Sequence, residues 1–131
     1  MPMPQHELSA AEWEIMQEMW SAGAPLAVRD VLERAYPNAE KAYTTVQTLM
    51  NILVAKGFLK RKKVGLVNFY STAVAREKIL RKSLATAAGR MFAGSFGAMA
   101  SFLVSAAPLS AEEIQVLRKL LDEQSGEKKN R

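Results

Sequence analysis

Cysteine is absent from the 131 residues, which excludes a disulfide framework, a thiolate metal site and a cysteine nucleophile. Histidine occurs once, as His6, outside any patterned segment, and neither metal binding nor catalysis is expected of it. No apolar run reaches the roughly 18 residues of a membrane span, and Met1-Pro-Met-Pro-Gln-His-Glu7 lacks a basic segment followed by an apolar one. The expected location is therefore cytoplasmic, with no membrane insertion. Glycine is sparse and forms no phosphate-cradling loop. With no nucleophile and base to assemble, the chain does not read as an enzyme, and it implies no cofactor and no metal.

Negative charge is also missing, but only from one region. Residues 41–82 carry ten Lys and Arg against Glu77 alone, a net of +9. Residues 1–40 carry two basic side chains against seven acids, a net of −5, and residues 83–131 carry six against five, a net of +1. Clustered positive charge meets the electrostatic requirement for binding phosphate, although an acidic protein surface would be attracted too.

Within that region, Asn38 to Gly57 contains the most informative pattern. Ala42, Val46, Leu49, Met50 and Leu53 recur at helical spacing and gather on one side of a wheel. The other side carries Thr44, Gln47, Thr48 and Asn51, and no charged residue lies between Ala42 and Ala55. A solvated face is ordinarily filled by Lys, Glu or Arg, which hold helix better than Thr or Asn. Short groups that donate and accept hydrogen bonds suit base edges in a major groove. Tyr43 and Thr45 fit phosphate contact, or the lining of the preceding turn.

Around this helix the chain is punctuated clearly. Ser9 and Glu12 form a capping-box pattern before a helix from Ala10 to Ser21, with Ile15, Met16, Met19 and Trp20 on one stripe. Trp13 and Trp20 lie near that stripe, and core packing is expected rather than ligand stacking. Gly23 and Pro25 end this helix and leave Ala24 to Leu26 as a short edge strand. Val28, Val31, Leu32 and Ala35 define a second helix that Tyr36-Pro37 stops. Asn38 is expected to cap the third helix and Gly57 to end it. Phe58 to Ser71 then reads as a β-hairpin turning at Gly65. Its first arm carries Lys60, Arg61, Lys62 and Lys63, with Arg61 and Lys63 on one face and Lys60 and Lys62 on the other. Such charge can protect an edge strand or meet phosphate.

Beyond Ser71 the composition turns apolar. A long helix is expected from Ala73 to Arg90, with Ile79 and Leu84 on its stripe. Gly89, Gly94 and Gly97 loosen the chain among Met91, Phe92, Phe96 and Met99, and Phe102 and Leu103 finish a short helix closed by Pro108. Ser110 and Glu113 repeat the capping box before a last helix with Ile114, Leu117, Leu120 and Leu121 on one face. A unit of this size could not cover so much apolar surface by itself, which implies pairing with a second copy.

The fold class is thus mainly α with a small β-hairpin. The expected divisions are a winged helix-turn-helix domain over 1–72, a helical dimerisation domain over 73–124 and a disordered tail over 125–131. The chain also resembles the penicillinase-repressor family, the BlaI, MecI and CopY type of bacterial winged-helix regulators. The resemblance lies in Leu8-Ser-Ala-Ala-Glu-Trp-Glu-Ile-Met16, Ala42-Tyr-Thr-Thr-Val-Gln-Thr-Leu49, Lys56-Gly-Phe-Leu59, Phe69-Tyr-Ser71, Phe92-Ala-Gly-Ser-Phe-Gly-Ala98 and Leu109-Ser-Ala-Glu-Glu-Ile-Gln-Val-Leu-Arg-Lys-Leu-Leu121. It implies a homodimeric transcriptional repressor that binds a pseudo-palindromic operator in double-stranded DNA. It also implies, for some members, inactivation by cleavage triggered by a membrane sensor protease, between Asn and Phe in the dimerisation region. The matching pair here is Ser101-Phe102, with serine in place of that asparagine. The Cys-based copper site of other relatives has no counterpart. Two other classes stay open: an effector-binding winged-helix regulator of another family, and a helical adaptor docking an acidic protein.

Overall fold

The computed structural model describes Pro4 and residues 7–129, the side chains of the last three of these excepted. His6 and the last two positions of the expected tail, Asn130 and Arg131, lie outside the described residues. The chain divides into two compact units, the first ending at Leu84 and the second beginning at Ala85.

The first unit opens with α1 (Ala10–Ala22), capped as its sequence dictates. The Ser9 hydroxyl accepts from the Glu12 backbone, and Glu12 Oε1 accepts from Ser9 N at 2.7 Å. Gly23, left-handed at φ 63°, closes the helix with its N–H on Met19 O. The link β1 (Leu26–Ala27) leads into α2 (Val28–Ala35), whose bounds are those the apolar spacing predicts.

Helix α3 (Tyr43–Lys56) starts later than Asn38 suggested. Its N-cap is Ala42, with no side-chain cap, and Ala39 in the left-handed region at φ 60° turns the chain before any helix can begin. Asn38 is instead part of that connection, its N–H bonded to Glu40 Oε1. Gly57 ends α3 in the left-handed conformation at φ 89°.

The hairpin is β2 (Leu59–Val64) and β3 (Val67–Thr72), joined by a two-residue turn with Gly65 at φ 64°. Glycine at the first turn position, with positive φ, matches the strand twist of a tight hairpin. The sheet is antiparallel in the order β1-β3-β2, with Leu26 and Arg61 flanking Tyr70. The helices and sheet enclose Ile15, Met16, Met19, Val31, Val46, Met50, Leu53, Phe58 and Tyr70, all essentially without solvent contact. Each such aliphatic side chain contributes about 1.5–3 kcal/mol by leaving water.

Helix α4 (Arg76–Met91) belongs to both units. Ile79 on its second turn is buried in the core of the first, so it is not a free pairing residue, and the division falls beyond the expected boundary after residue 72. Trp20 Nε1 donates to Val74 O at 3.0 Å, tying the approach to α4 into the same core.

In the second unit α4 is followed by α5 (Phe96–Ala106) and α6 (Ala111–Lys129). The break between α4 and α5 is made by Ala93 and Gly94, at φ 51° and 83°, while Gly89 and Gly97 stay helical. Ser110 and Glu113 cap α6 reciprocally. That helix continues through Lys129, past the expected end at residue 124, because Glu and Lys favour helix and only Gly126 interrupts them.

Candidate nucleic-acid interface

The polar side of α3 is realised as an outward face: Thr44, Thr45 and Thr48 are exposed, Gln47 and Asn51 are half-buried, and Val46, Met50 and Leu53 anchor the opposite side. The apolar anchors make that orientation rigid, since rotating the helix would bring threonines into the core. Thr48 Oγ1 donates to Thr44 O at 2.9 Å, one turn back. Its hydroxyl can then only accept from a ligand, with its methyl group alongside. Tyr43, at the first position of the helix, is partly exposed, and the Arg29 guanidinium lies 5.4 Å from its ring centroid.

The wing resolves the question of strand faces. Directly opposed residues of an antiparallel pair share a face, so Arg61 lies with Tyr70 and Lys63 with Asn68. Arg61 Nη1 and Tyr70 Oη both reach Asn51 on α3, at 2.8 Å each. The Arg61 and Lys63 face therefore adjoins α3, whereas Lys60 and Lys62 occupy the other face. All four basic side chains are exposed.

Not every base in the positive region is available. Lys56 points inward, its Nζ on both oxygens of Glu12 at 3.0 and 2.9 Å. Glu12 is only 2% exposed. Burial pushes its carboxyl upward, but the hydrogen bonds from Ser9 and Lys56 outweigh this and hold it below the usual carboxylate value. Lys41 sits over the Tyr36 ring at 5.4 Å. The Tyr36 hydroxyl donates to Glu14, and burial followed by the charge of Glu14 raises its pKa to about 12.

Sequence reasoning missed three contributors. A cleft of about 310 Å³ between the starts of α2 and α3 and the wing is lined by Arg29, Tyr43, Gln47, Leu66 and Asn68, among others. Arg29 was hidden in a segment of net negative charge, and Asn68 reads as an ordinary strand residue. Leu66, at the tip of the wing, is 95% exposed, with Val64 and Val67 beside it also exposed. Its signal was an apolar residue at a turn position that usually takes a polar one.

Leu84, at the end of the first unit, is exposed, and so in the second unit are Met91, Phe96, Phe102, Leu103, Ile114, Leu117, Leu120 and Leu121. Phe92 and Met99 are half-buried, and Phe92 packs against Phe102 with centroids 6.0 Å apart. Helices α5 and α6 form an apolar groove of about 610 Å³, with Leu103, Val104, Val116 and Leu117 in it and Glu112 and Glu113 at its edge. Ser101 and Phe102 lie in the middle of α5. Among the described residues no group of His, Asp or Glu could hold a metal ion, and no single helix is long and apolar enough to cross a membrane.

Three helices, a three-stranded sheet and an outward polar third helix beside a basic hairpin define a winged helix-turn-helix protein. The model of the penicillinase repressor family matches residues 8–123, and the chain belongs to that family of DNA-binding transcriptional repressors. The methicillin resistance regulatory protein MecI of Staphylococcus aureus is similar at 29% identity over 117 residues, 89% of this chain and 94% of its own length. The penicillinase repressor of Bacillus licheniformis is 25% identical over 123 residues, 94% of this chain and 95% of its own. Among solved structures, the DNA-binding domain of the repressor BlaI aligns with 57% of this chain and 88% of that one, at 27% identity and a TM-score of 0.49.

Proposed function

We infer that the protein is a homodimeric transcriptional repressor that binds a pseudo-palindromic operator. The observation that carries this is the uncharged, hydrogen-bonding outer face of α3 set beside a basic wing, on the chain of a repressor family. Thr44, Gln47 and Thr48 enter the major groove, and Tyr43, Thr45 and Arg29 meet the backbone beside them. Lys63, on the α3 side of the wing, contacts phosphate, and Lys60 and Lys62 add to the field. The exposed apolar side chains of α5 and α6 support pairing, since leaving them in water would be costly for a monomer. Two-fold symmetry then requires half-sites about one helical turn, or a multiple of it, apart. The methicillin resistance and penicillinase regulators among its relatives support a role of the antibiotic-resistance type.

Induction by a sensor protease, cutting at Ser101-Phe102, requires α5 to open first, because proteases take extended backbone and this pair is helical. The groove between α5 and α6 favours a second reading, release by a small apolar effector.

Selection of duplexes from a randomised library by the full-length protein tests the main reading. A palindromic consensus is expected. With roughly 6–10 phosphates neutralised, affinity should fall by about 10³ to 10⁵ between 50 and 200 mM salt. A salt-insensitive complex, or no enriched sequence, would refute it. A small molecule that releases DNA from the intact chain would favour the second reading over cleavage.

A further inference from the structure

Asn51 stands on the outer face of α3, where its amide invites the reading that it pairs with adenine. Its neighbours oppose this. Arg61 Nη1 donates to Asn51 Oδ1 at 2.8 Å, and Tyr70 Oη donates to the same oxygen at 2.8 Å. A guanidinium has donors only, so the atom facing it must be the carbonyl oxygen, and the orientation of the amide is fixed. Both lone pairs of that oxygen are then in use. A two-bond contact with adenine needs this oxygen to accept from the base while the amide nitrogen donates to it. Asn51 retains donors alone.

We propose that Asn51 is a positioning residue, and that its oxygen fastens the recognition helix to both strands of the wing. Arg61 comes from β2 and Tyr70 from β3, and their direct pairing across the strands brings both donors to one point. A single side chain on α3 thereby sets the angle at which the helix and the basic hairpin meet the duplex. The bond to Asn51 engages one terminal nitrogen of Arg61, so the remaining N–H groups are aimed at a neighbouring phosphate rather than left to swing. The role rests on the DNA-binding reading given above.

Tyr70 makes the idea testable, because it is 0% exposed and cannot touch DNA itself. Tyr70→Phe keeps the buried ring and removes only the hydroxyl. In the full-length protein, affinity for a duplex selected by the wild type should fall about 3- to 10-fold, the ordinary worth of one hydrogen bond. Affinity for random duplex should change less, because phosphate attraction does not depend on that angle. Asn51→Ala should lower the same ratio, and the double variant should be no weaker than Asn51→Ala alone. Wild-type discrimination in Tyr70→Phe, equal losses on both duplexes, or additive losses in the double variant would each overturn the positioning role. A wild-type chain that enriches no duplex would overturn the DNA-binding reading, and this role with it.

Discussion

Lys56 Nζ lies 2.9 Å from Glu12 Oε2, joining the last turn of α3 to the first turn of α1. The same carboxylate accepts from Ser9 N, so one buried group caps a helix and clamps the recognition helix. Lys56→Met leaves that carboxylate short of a partner and should destabilise the chain by about 1–3 kcal/mol, read as a lower urea midpoint. The pH dependence has a definite sign. A carboxyl whose pKa is lowered on folding contributes fully above the unfolded value of about 4.3, and loses that contribution as pH falls through the lowered native value. Glu12→Gln should therefore lose stability at neutral pH yet show a shallower decline on acidification, which melting curves from about pH 6 to pH 3 would reveal.

The roles proposed for Gln47 in base reading and for Lys63 in phosphate attraction are separable by experiment. Gln47→Ala should reduce preference for the selected duplex over random DNA, by about 1–3 kcal/mol of discrimination if its contact is bidentate. Lys63→Ala should weaken both complexes alike and lower the salt slope by about one. Fluorescence titrations at several salt concentrations would distinguish them, and an equal loss on both duplexes in Gln47→Ala would exclude it as a reader.

Leu66 projects from the wing tip with almost its whole side chain in water. Leu66→Ser should leave the melting temperature unchanged. If the tip meets the sugar edges of a groove, the same change should weaken DNA binding several-fold. Unchanged affinity would mark the leucine as idle on DNA.

The proposed pairing should be open to disruption without touching the first unit. Leu121 is 64% exposed on α6, so Leu121→Glu does not disturb its own helix, but it places charge on the apolar face. Sedimentation should then show monomer, and operator affinity should drop about 100-fold or more as two linked contacts become independent. A variant that remains dimeric would move the interface elsewhere.

What could be read from the sequence was local. The Ser9 and Glu12 cap, the bounds of α2 and the glycine ends of α1 and α3 are set by interactions within a few residues, and each was visible as a pattern. The partner of Glu12 stands 44 residues away, and nothing in a helical wheel announces it. Asn51 looked like a free amide because the strands that capture its oxygen are brought together by hairpin register. Ile79 fell on the stripe of α4 as expected, but periodicity gives a face and not the neighbour that covers it. Asn38 has the chemistry of a cap, and lost that place to a left-handed Ala39 in a connection whose geometry no propensity specifies.

The entry of α4 into the first core decides where this chain can be cut. A fragment ending at residue 72 would lack Ile79, leaving an apolar hole, and would deprive the Trp20 indole of its acceptor on Val74. Such a fragment should express poorly or melt early. One carried through Leu84 keeps both and is the piece to make for binding studies of the first unit alone.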